Sequence, residues 1–175
     1  MQEEDFDHTV NKLRHPDRIA QLKVPQVVAL CLENCRLENL LDIGTGSGLF
    51  AEAFAAAGTR VVGIDPDPEM IASARLHAPG VFFGVGAAEA LPFAEDSFDA
   101  LFMGMVLHET ADPYLSLKEA RRVAKKYLAI LEWTPPEPGD PPPPARRFTH
   151  RQIDAMCRAA GFAVELGQAI LYLLR

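Results

Sequence analysis

Leu40-Leu41-Asp42-Ile43-Gly44-Thr45-Gly46-Ser47-Gly48-Leu49-Phe50 is the stretch on which the reading of this chain turns. Residues 40–43 are apolar apart from one carboxylate, glycine then recurs at every second position, and an alanine-rich run follows over 51–57. The pattern predicts a buried strand, a tight turn and a helix. Glycines let a ligand lie against bare backbone where a side chain would stand in the way. The N–H groups opening the following helix carry its positive dipole end toward the same space. Asp42, at the carboxyl end of the strand, adds an acceptor, so the expected ligand carries both a carboxylate and an ammonium group.

Downstream, Gly58 ends that helix, and Arg60-Val61-Val62-Gly63-Ile64-Asp65 reads as a second strand finishing on an acid. Pro66 and Pro68 force a turn, residues 69–77 look helical, and Pro79-Gly80 breaks them. Further strands are expected at 81–85 and 98–103, a helix over 113–124 and a fifth strand over 127–133. Strands alternating with helices at this spacing make a doubly wound α/β sheet, mostly parallel, with helices on both faces. Thr149 caps a helix over 150–160 that Gly161 ends. Residues 162–166 and 169–174, turning near Gly167, predict a closing antiparallel hairpin.

Upstream, residues 6–23 read as one or two short helices broken at Pro16. Pro25 opens another, with Val27, Val28, Leu30, Cys31, Leu32 and Cys35 as its apolar stripe. Residues 1–37 are therefore expected to form a helical lid segment on a domain of residues 38–175. The tract 134–147 holds seven prolines and one glycine. It can be neither helix nor central strand and reads as an extended loop, either a stiff lid over the substrate mouth or, the favoured reading, a mobile surface loop.

A length of 175 residues fits one domain, and 49% apolar with 23% charged residues is usual for a soluble globular protein. No run approaches the roughly 18–20 apolar residues of a bilayer span. The acidic N-terminus lacks the apolar core of a secretory signal. A net charge of −7 argues against a nucleic-acid partner, whose phosphates need a basic face. The three cysteines, Cys31, Cys35 and Cys157, fit a reducing cytoplasm better than a disulfide scaffold. The expectation is a cytoplasmic protein with a small-molecule partner, no membrane span, and a homodimer left open.

A doubly wound sheet places its ligand at the carboxyl ends of its central strands. Those ends here are residues 42–48, 65–67, 86–89 and 103–109. An acid ending the second strand, Asp65, accepts the ribose hydroxyls of an adenosine ligand, which would suit NAD as well. Counting from Gly44 and Gly46, however, a dinucleotide loop has its third glycine where this chain has Leu49. Asp42 would also repel a pyrophosphate, whereas it would welcome an ammonium group.

Four motifs now stand in order: Leu41-Asp42-Ile43-Gly44-Thr45-Gly46-Ser47-Gly48; Val62-Gly63-Ile64-Asp65; Ala88-Glu89-Ala90-Leu91-Pro92-Phe93 with Asp96-Ser97-Phe98-Asp99; and Leu107-His108-Glu109. In this order the chain resembles the class I S-adenosylmethionine-dependent methyltransferases, in particular the quinone-biosynthesis and arsenite methyltransferase-like group. The resemblance covers the sheet over residues 40–123 and thins at both ends of the chain. It implies a Rossmann-like fold, S-adenosylmethionine as cofactor and a small or lipophilic methyl acceptor. Carried over residue by residue, it implies that Asp42, Gly44 and Gly46 surround the methionine part of the cofactor. Asp65 would hold the ribose, with Pro66 and Met70 near the adenine. Backbone at Ala88 and Glu89 would reach the adenine edge, and Met103 would close the pocket. The family often has Asp where this chain has Ala87, so adenine recognition would rest on backbone acceptors and apolar packing.

His108 lies just beyond the fourth strand on the expected substrate side, where an imidazole can serve as general base, with Glu109 the second candidate. Methyl transfer from a sulfonium is an in-line displacement with a neutral leaving group. Positioning and exclusion of water can therefore supply most of the catalysis. Cys31 and Cys35 share a helix face at i, i+4, and with Cys157 they would have to converge for arsenite chemistry. Buried structural cysteine is the commoner fate, and no metal site is expected. Glu132-Trp133 ends the fifth strand as an aromatic wall for substrate or as a simple anchor. The alternatives are an S-adenosylmethionine-binding protein without transferase activity and, less favoured, an NAD(P)-dependent reductase.

Overall fold

The computed structural model describes residues 10, 12–33, 37–133 and 147–162, and the backbone of 169–174. Six strands form one sheet: β1 Asn39–Ile43, β2 Arg60–Asp65, β3 Phe82–Val85, β4 Phe98–Gly104, β5 Ala124–Trp133 and β6 Ala169–Leu174. Their order across the sheet is β3-β2-β1-β4-β5-β6, and every neighbouring pair is parallel. The helices are α1 Pro16–Leu22, α2 Val24–Leu32, α3 Leu49–Ala56, α4 Pro68–His77, α5 Pro113–Val123 and α6 His150–Ala159.

Parallel strands covered on both faces must be apolar on both faces, and β4 is buried at six successive positions. Alternate residues then feed two separate cores. Leu40, Ala100, Phe102, Ala129 and Leu131 pack with α1 to α4 on one face. Leu41, Ile43, Leu101, Met103, Leu128 and Ile130 pack with α5 and α6 on the other. Phe102 anchors the first core, with its ring 4.7 Å from that of Phe50 and 5.2 Å from that of Phe54. Truncating such a ring to alanine removes about 3–5 kcal/mol.

The helix starts follow from their caps. Asp67 and Asp112 accept from the N–H groups of Glu69 and Leu115 at 2.8 and 3.0 Å, and Pro68 and Pro113 open α4 and α5 with φ already set for a helix. Thr149 and Gln152 close a reciprocal capping box on α6. Residues 10, 12 and 13 are helical, the chain breaks at 14 and 15, and Pro16 opens α1, in line with short helices broken at Pro16.

The expected antiparallel hairpin at the C-terminus is not formed. β6 pairs parallel to β5, from Leu128 against Ala169 to Trp133 against Leu174. α6 lies between the two strands in sequence and carries the chain back along the sheet face, which makes β6 the end of a β-α-β crossover. Phe162, the start of the expected partner strand, is a buried non-strand residue. Residues 163–168, and residues 134–146 of the proline tract, lie outside the described residues.

From β1 the chain winds outward through β2 to β3, then returns across the sheet to β4 on the other side of β1. The connections leaving β1 and β4 therefore diverge, and a crevice opens between their carboxyl ends.

Candidate functional site

The glycine loop is built backbone first. Thr45 donates its N–H to Ile64 O at 2.8 Å and Gly48 donates to Thr45 O at 2.9 Å, folding the loop back over β2. Gly44, Gly46 and Gly48 all have positive φ, at 65°, 52° and 78°. Gly44 is also sterically obligatory, because a Cβ there would stand 2.4 Å from a methyl of Val106.

Two carboxylates lie at the loop. Asp42 is buried beneath it and accepts from the Thr45 hydroxyl at 2.6 Å. Burial pushes its carboxyl up to about 7, against the lowering effect of that hydroxyl and with a smaller push from the charge of Asp65. Asp65, ending β2, accepts from the Gly46 N–H and the Asp67 N–H, each at 2.9 Å. Burial raises its pKa, and these two N–H groups oppose the rise. Both of its oxygens are thus fixed in orientation before any ligand arrives.

A cavity of about 380 Å³ lies where the strand-end loops meet, and its lining includes Gly44, Asp65, Pro66, Ala88, Glu89 and Glu109. Glu89 Oε1 accepts from the N–H groups of Ala111 and Asp112 at 2.8 and 3.3 Å, tying the loop after β3 to the loop after β4. A second cavity of about 110 Å³ borders the glycine loop, walled by Leu13, Arg18 and Leu22 from the N-terminal segment. Gly44 and Met105 border both cavities.

Of the residues expected at the site, Gly44, Asp65, Pro66, Ala88, Glu89 and Glu109 line the larger cavity, and Gly44 and Gly46 the smaller. Asp42 lies under the loop and borders neither. Met70 is buried and borders neither. Met103 is fully buried in the core facing α5 and α6. The methionine at the cavities is Met105, which has left β4 and sits at φ 62°. Ala87, where the family often has Asp, also lines the larger cavity.

His108 is not a lining residue. It is buried in a 3-10 turn, Leu107–Glu109, and both of its ring nitrogens meet carboxylates. Nδ1 is 2.7 Å from Glu132 Oε2 and Nε2 is 3.1 Å from Glu109 Oε1. Glu132, itself buried at the end of β5, also accepts the His108 N–H at 3.2 Å. Glu109 is the member of this chain of groups whose side chain is more than half exposed and borders the cavity.

Sequence reasoning passed over Arg18, gave Met105 no place in the site and assigned Glu132 no partner. Nothing local marks Arg18, and the Glu132–His108 pair spans 24 residues. The thiols do not converge: Cys31 belongs to the core on one face of the sheet and Cys157 to the core on the other. Burial pushes the Cys157 thiol up to about 11. Cys35 lies outside the described residues, among which no cluster of three or more His, Cys, Asp or Glu side chains could hold a metal ion. No helix among the described residues is long and apolar enough to cross a membrane.

Comparisons with known proteins agree with this geometry. Residues 41–129, just over half of the chain, match the family model described as a methyltransferase domain. An uncharacterized methyltransferase of Mycolicibacterium vanbaalenii is 43% identical over 98 residues, covering 54% of this chain and 38% of that protein. A demethylmenaquinone methyltransferase of Renibacterium salmoninarum is 35% identical over 101 residues, covering 57% of this chain and 43% of that one. The matched stretch thus spans about two fifths of the length of these curated relatives. Among solved structures, a SAM-dependent methyltransferase from Aquifex aeolicus superposes with a TM-score of 0.76 at 28% identity, covering 90% of this chain and 89% of that chain. With the glycine loop, the acid ending β2 and the crevice between β1 and β4 all within the matched region, the chain belongs to the methyltransferase-domain family.

Proposed function

We propose that the chain binds S-adenosylmethionine across the carboxyl ends of β1 to β4 and transfers its methyl group to a small or lipophilic acceptor. The observation that carries this reading is the Asp65 carboxylate. It is held by two backbone N–H groups and lines the wall of a cavity bordered by Gly44 on one side and Ala88 and Glu89 on another. A pair of fixed acceptor oxygens beside bare backbone suits a ribose diol, and a cavity of about 380 Å³ suits a nucleoside-sized ligand.

The residues present fit that cofactor. Gly44 and Gly46 leave room for it against the backbone, Asp65 would hold the ribose, Pro66, Ala87 and Ala88 would flank the adenine, and Asp42 supplies negative charge beneath the loop. The bound sulfonium supplies an electrophilic methyl group whose leaving group departs neutral. What the chain must add is alignment and a dry pocket. Met105 and Val106 wall the cavity with apolar surface beside Gly44. Where the acceptor must lose a proton, Glu109 is the group placed to take it, with His108 and Glu132 holding it from behind. The order of the two candidates at this turn is therefore Glu109 before His108.

Isothermal calorimetry with S-adenosylmethionine, S-adenosylhomocysteine and NAD tests the reading. Binding of both sulfur-containing nucleosides is expected, and binding of NAD alone would overturn it. Binding without turnover on a panel of amine, phenol and thiol acceptors would instead establish a binding module.

A further inference from the structure

Met105 stands where the two cavities meet. Among the described residues, Gly44 and Met105 border both, and Gly44 has no side chain, so the side chain at that border is the Met105 thioether. Its backbone is held there against its own preference, at a left-handed φ of 62° that a side chain disfavours. The other non-glycine residues with positive φ, Lys23 and Asp96, are exposed, whereas Met105 is buried. The surroundings fix this conformation. The Met105 N–H donates to Leu131 O at 2.7 Å, just past the end of β4. Gly104 before it is wedged where a Cβ would stand 2.6 Å from the Phe102 ring, and the Val106 methyls after it press on Gly44. A strand continued past Gly104 would aim residue 105 with Met103 into the core facing α5 and α6. Met105 packs instead with the opposite core. Strain that the surroundings over-determine collects at ligand sites.

On the cofactor reading above, Asp65 holds the ribose in the larger cavity, and the rest of the ligand passes over Gly44 and Gly46, which line the smaller. Sulfur is the atom that joins those two parts, so it crosses the border and lies beside Met105. We propose that the Met105 side chain is the stop that limits the group carried on that sulfur to a methyl, which makes it a specificity-determining residue for the group transferred. The side chain suits the place. A thioether is apolar and polarizable, packs against an alkyl group and sets no charge against a sulfonium. A packed wall of this kind resists one further methylene by about 10- to 200-fold. The inference rests on the cofactor reading and adds to it a use for the left-handed turn after β4.

The test compares ligands that differ in the group on sulfur: S-adenosylhomocysteine with none, S-adenosylmethionine with a methyl and S-adenosylethionine with an ethyl. Wild type is expected to bind the methyl sulfonium at least about tenfold more tightly than the ethyl one in calorimetry. Met105→Gly, which accepts the left-handed backbone and removes the side chain, should bring the two within about threefold. Met105→Leu, which keeps the bulk, should retain the preference. Each comparison is a ratio within one protein, so a general loss of affinity cancels, and S-adenosylhomocysteine binding certifies that each variant is folded. A second measurement needs no variant. In wild type, S-adenosylhomocysteine should slow peroxide oxidation of Met105 to its sulfoxide, read by mass spectrometry, and leave that of Met156 on α6 unchanged. A methyl-to-ethyl ratio equal in wild type and Met105→Gly, or oxidation of Met105 untouched by ligand, would overturn the proposal. A wild type that binds neither S-adenosylhomocysteine nor S-adenosylmethionine would remove the cofactor reading itself, an outcome distinct from either of those.

Discussion

Asp42 is a carboxyl group whose ionised form the fold holds at a cost. Its side chain is buried, one oxygen is taken by the Thr45 hydroxyl, and its pKa stands at about 7 against an ordinary 3.8. At about 1.4 kcal/mol for each pH unit, that difference amounts to about 4 kcal/mol, a ceiling that local opening to water reduces. A raised carboxyl pKa means that the folded state binds the proton more tightly than the unfolded state. Stability in the ligand-free protein therefore falls as pH climbs from about 4 to about 7 and stays low beyond. Asp42→Asn removes the ionisable group and keeps an oxygen that can accept from Thr45. At about pH 8 the variant is expected to be more stable than wild type by up to about 4 kcal/mol, or up to about 8–16 °C in Tm at roughly 2–4 °C per kcal/mol. At about pH 4 the two should converge. Urea denaturation of both proteins across that range, without ligand, gives the comparison. Asp65, whose pKa is also raised, titrates in both proteins and largely cancels in the difference. Parallel stability curves for wild type and Asp42→Asn would refute the reasoning.

Three further outcomes follow from the same geometry. Asp65→Ala should leave the fold intact and weaken S-adenosylhomocysteine at least about tenfold, the usual loss of a bidentate hydrogen-bonding partner; an unchanged Kd in calorimetry would remove Asp65 from the ribose role. Gly44→Ala should cost about 2–4 kcal/mol in urea denaturation, since it combines a left-handed φ with a clash against Val106. Val106→Ala in the same chain should restore the steric part, and no restoration would mean that Val106 is not the obstacle. Glu132→Ala strips the buried His108 of its main-chain and ring acceptor and should lower stability by about 3–5 kcal/mol. A midpoint unmoved by that change would show that the pair does not hold the 3-10 turn.

The half of the molecule that sequence made legible is the half dictated by local patterning. The strand of residues 39–43, the alternating glycines and the acid ending β2 each announce themselves within a few residues, and the cavity forms where those three meet. What escaped depends on distance along the chain or on direction. The Glu132–His108 pair joins the end of β5 to the turn after β4, and neither residue carries a local mark of its partner. Met103 and Met105 differ by two positions, the period of a strand, so a continuing strand would aim both alike. β4 instead ends at Gly104, and the left-handed backbone of Met105 turns it toward the cavities. Residues 169–174 are a short apolar run that suits a strand either way round, and only the placement of α6 decides that β6 runs parallel to β5. Arg18 is one more charged residue in a polar helix until the glycine loop is packed beneath it.

The placement of Cys31 and Cys157 in the two separate cores has a further use. Each thiol is shielded by its own helical layer, so in a Cys35→Ser background alkylation of each reports how often that layer lifts from the sheet. Two clocks of this kind, read by mass spectrometry in one sample, would time the opening of α1 to α4 and of α5 with α6 independently. A ligand that fastens only the first layer would slow one clock and leave the other running at its own rate.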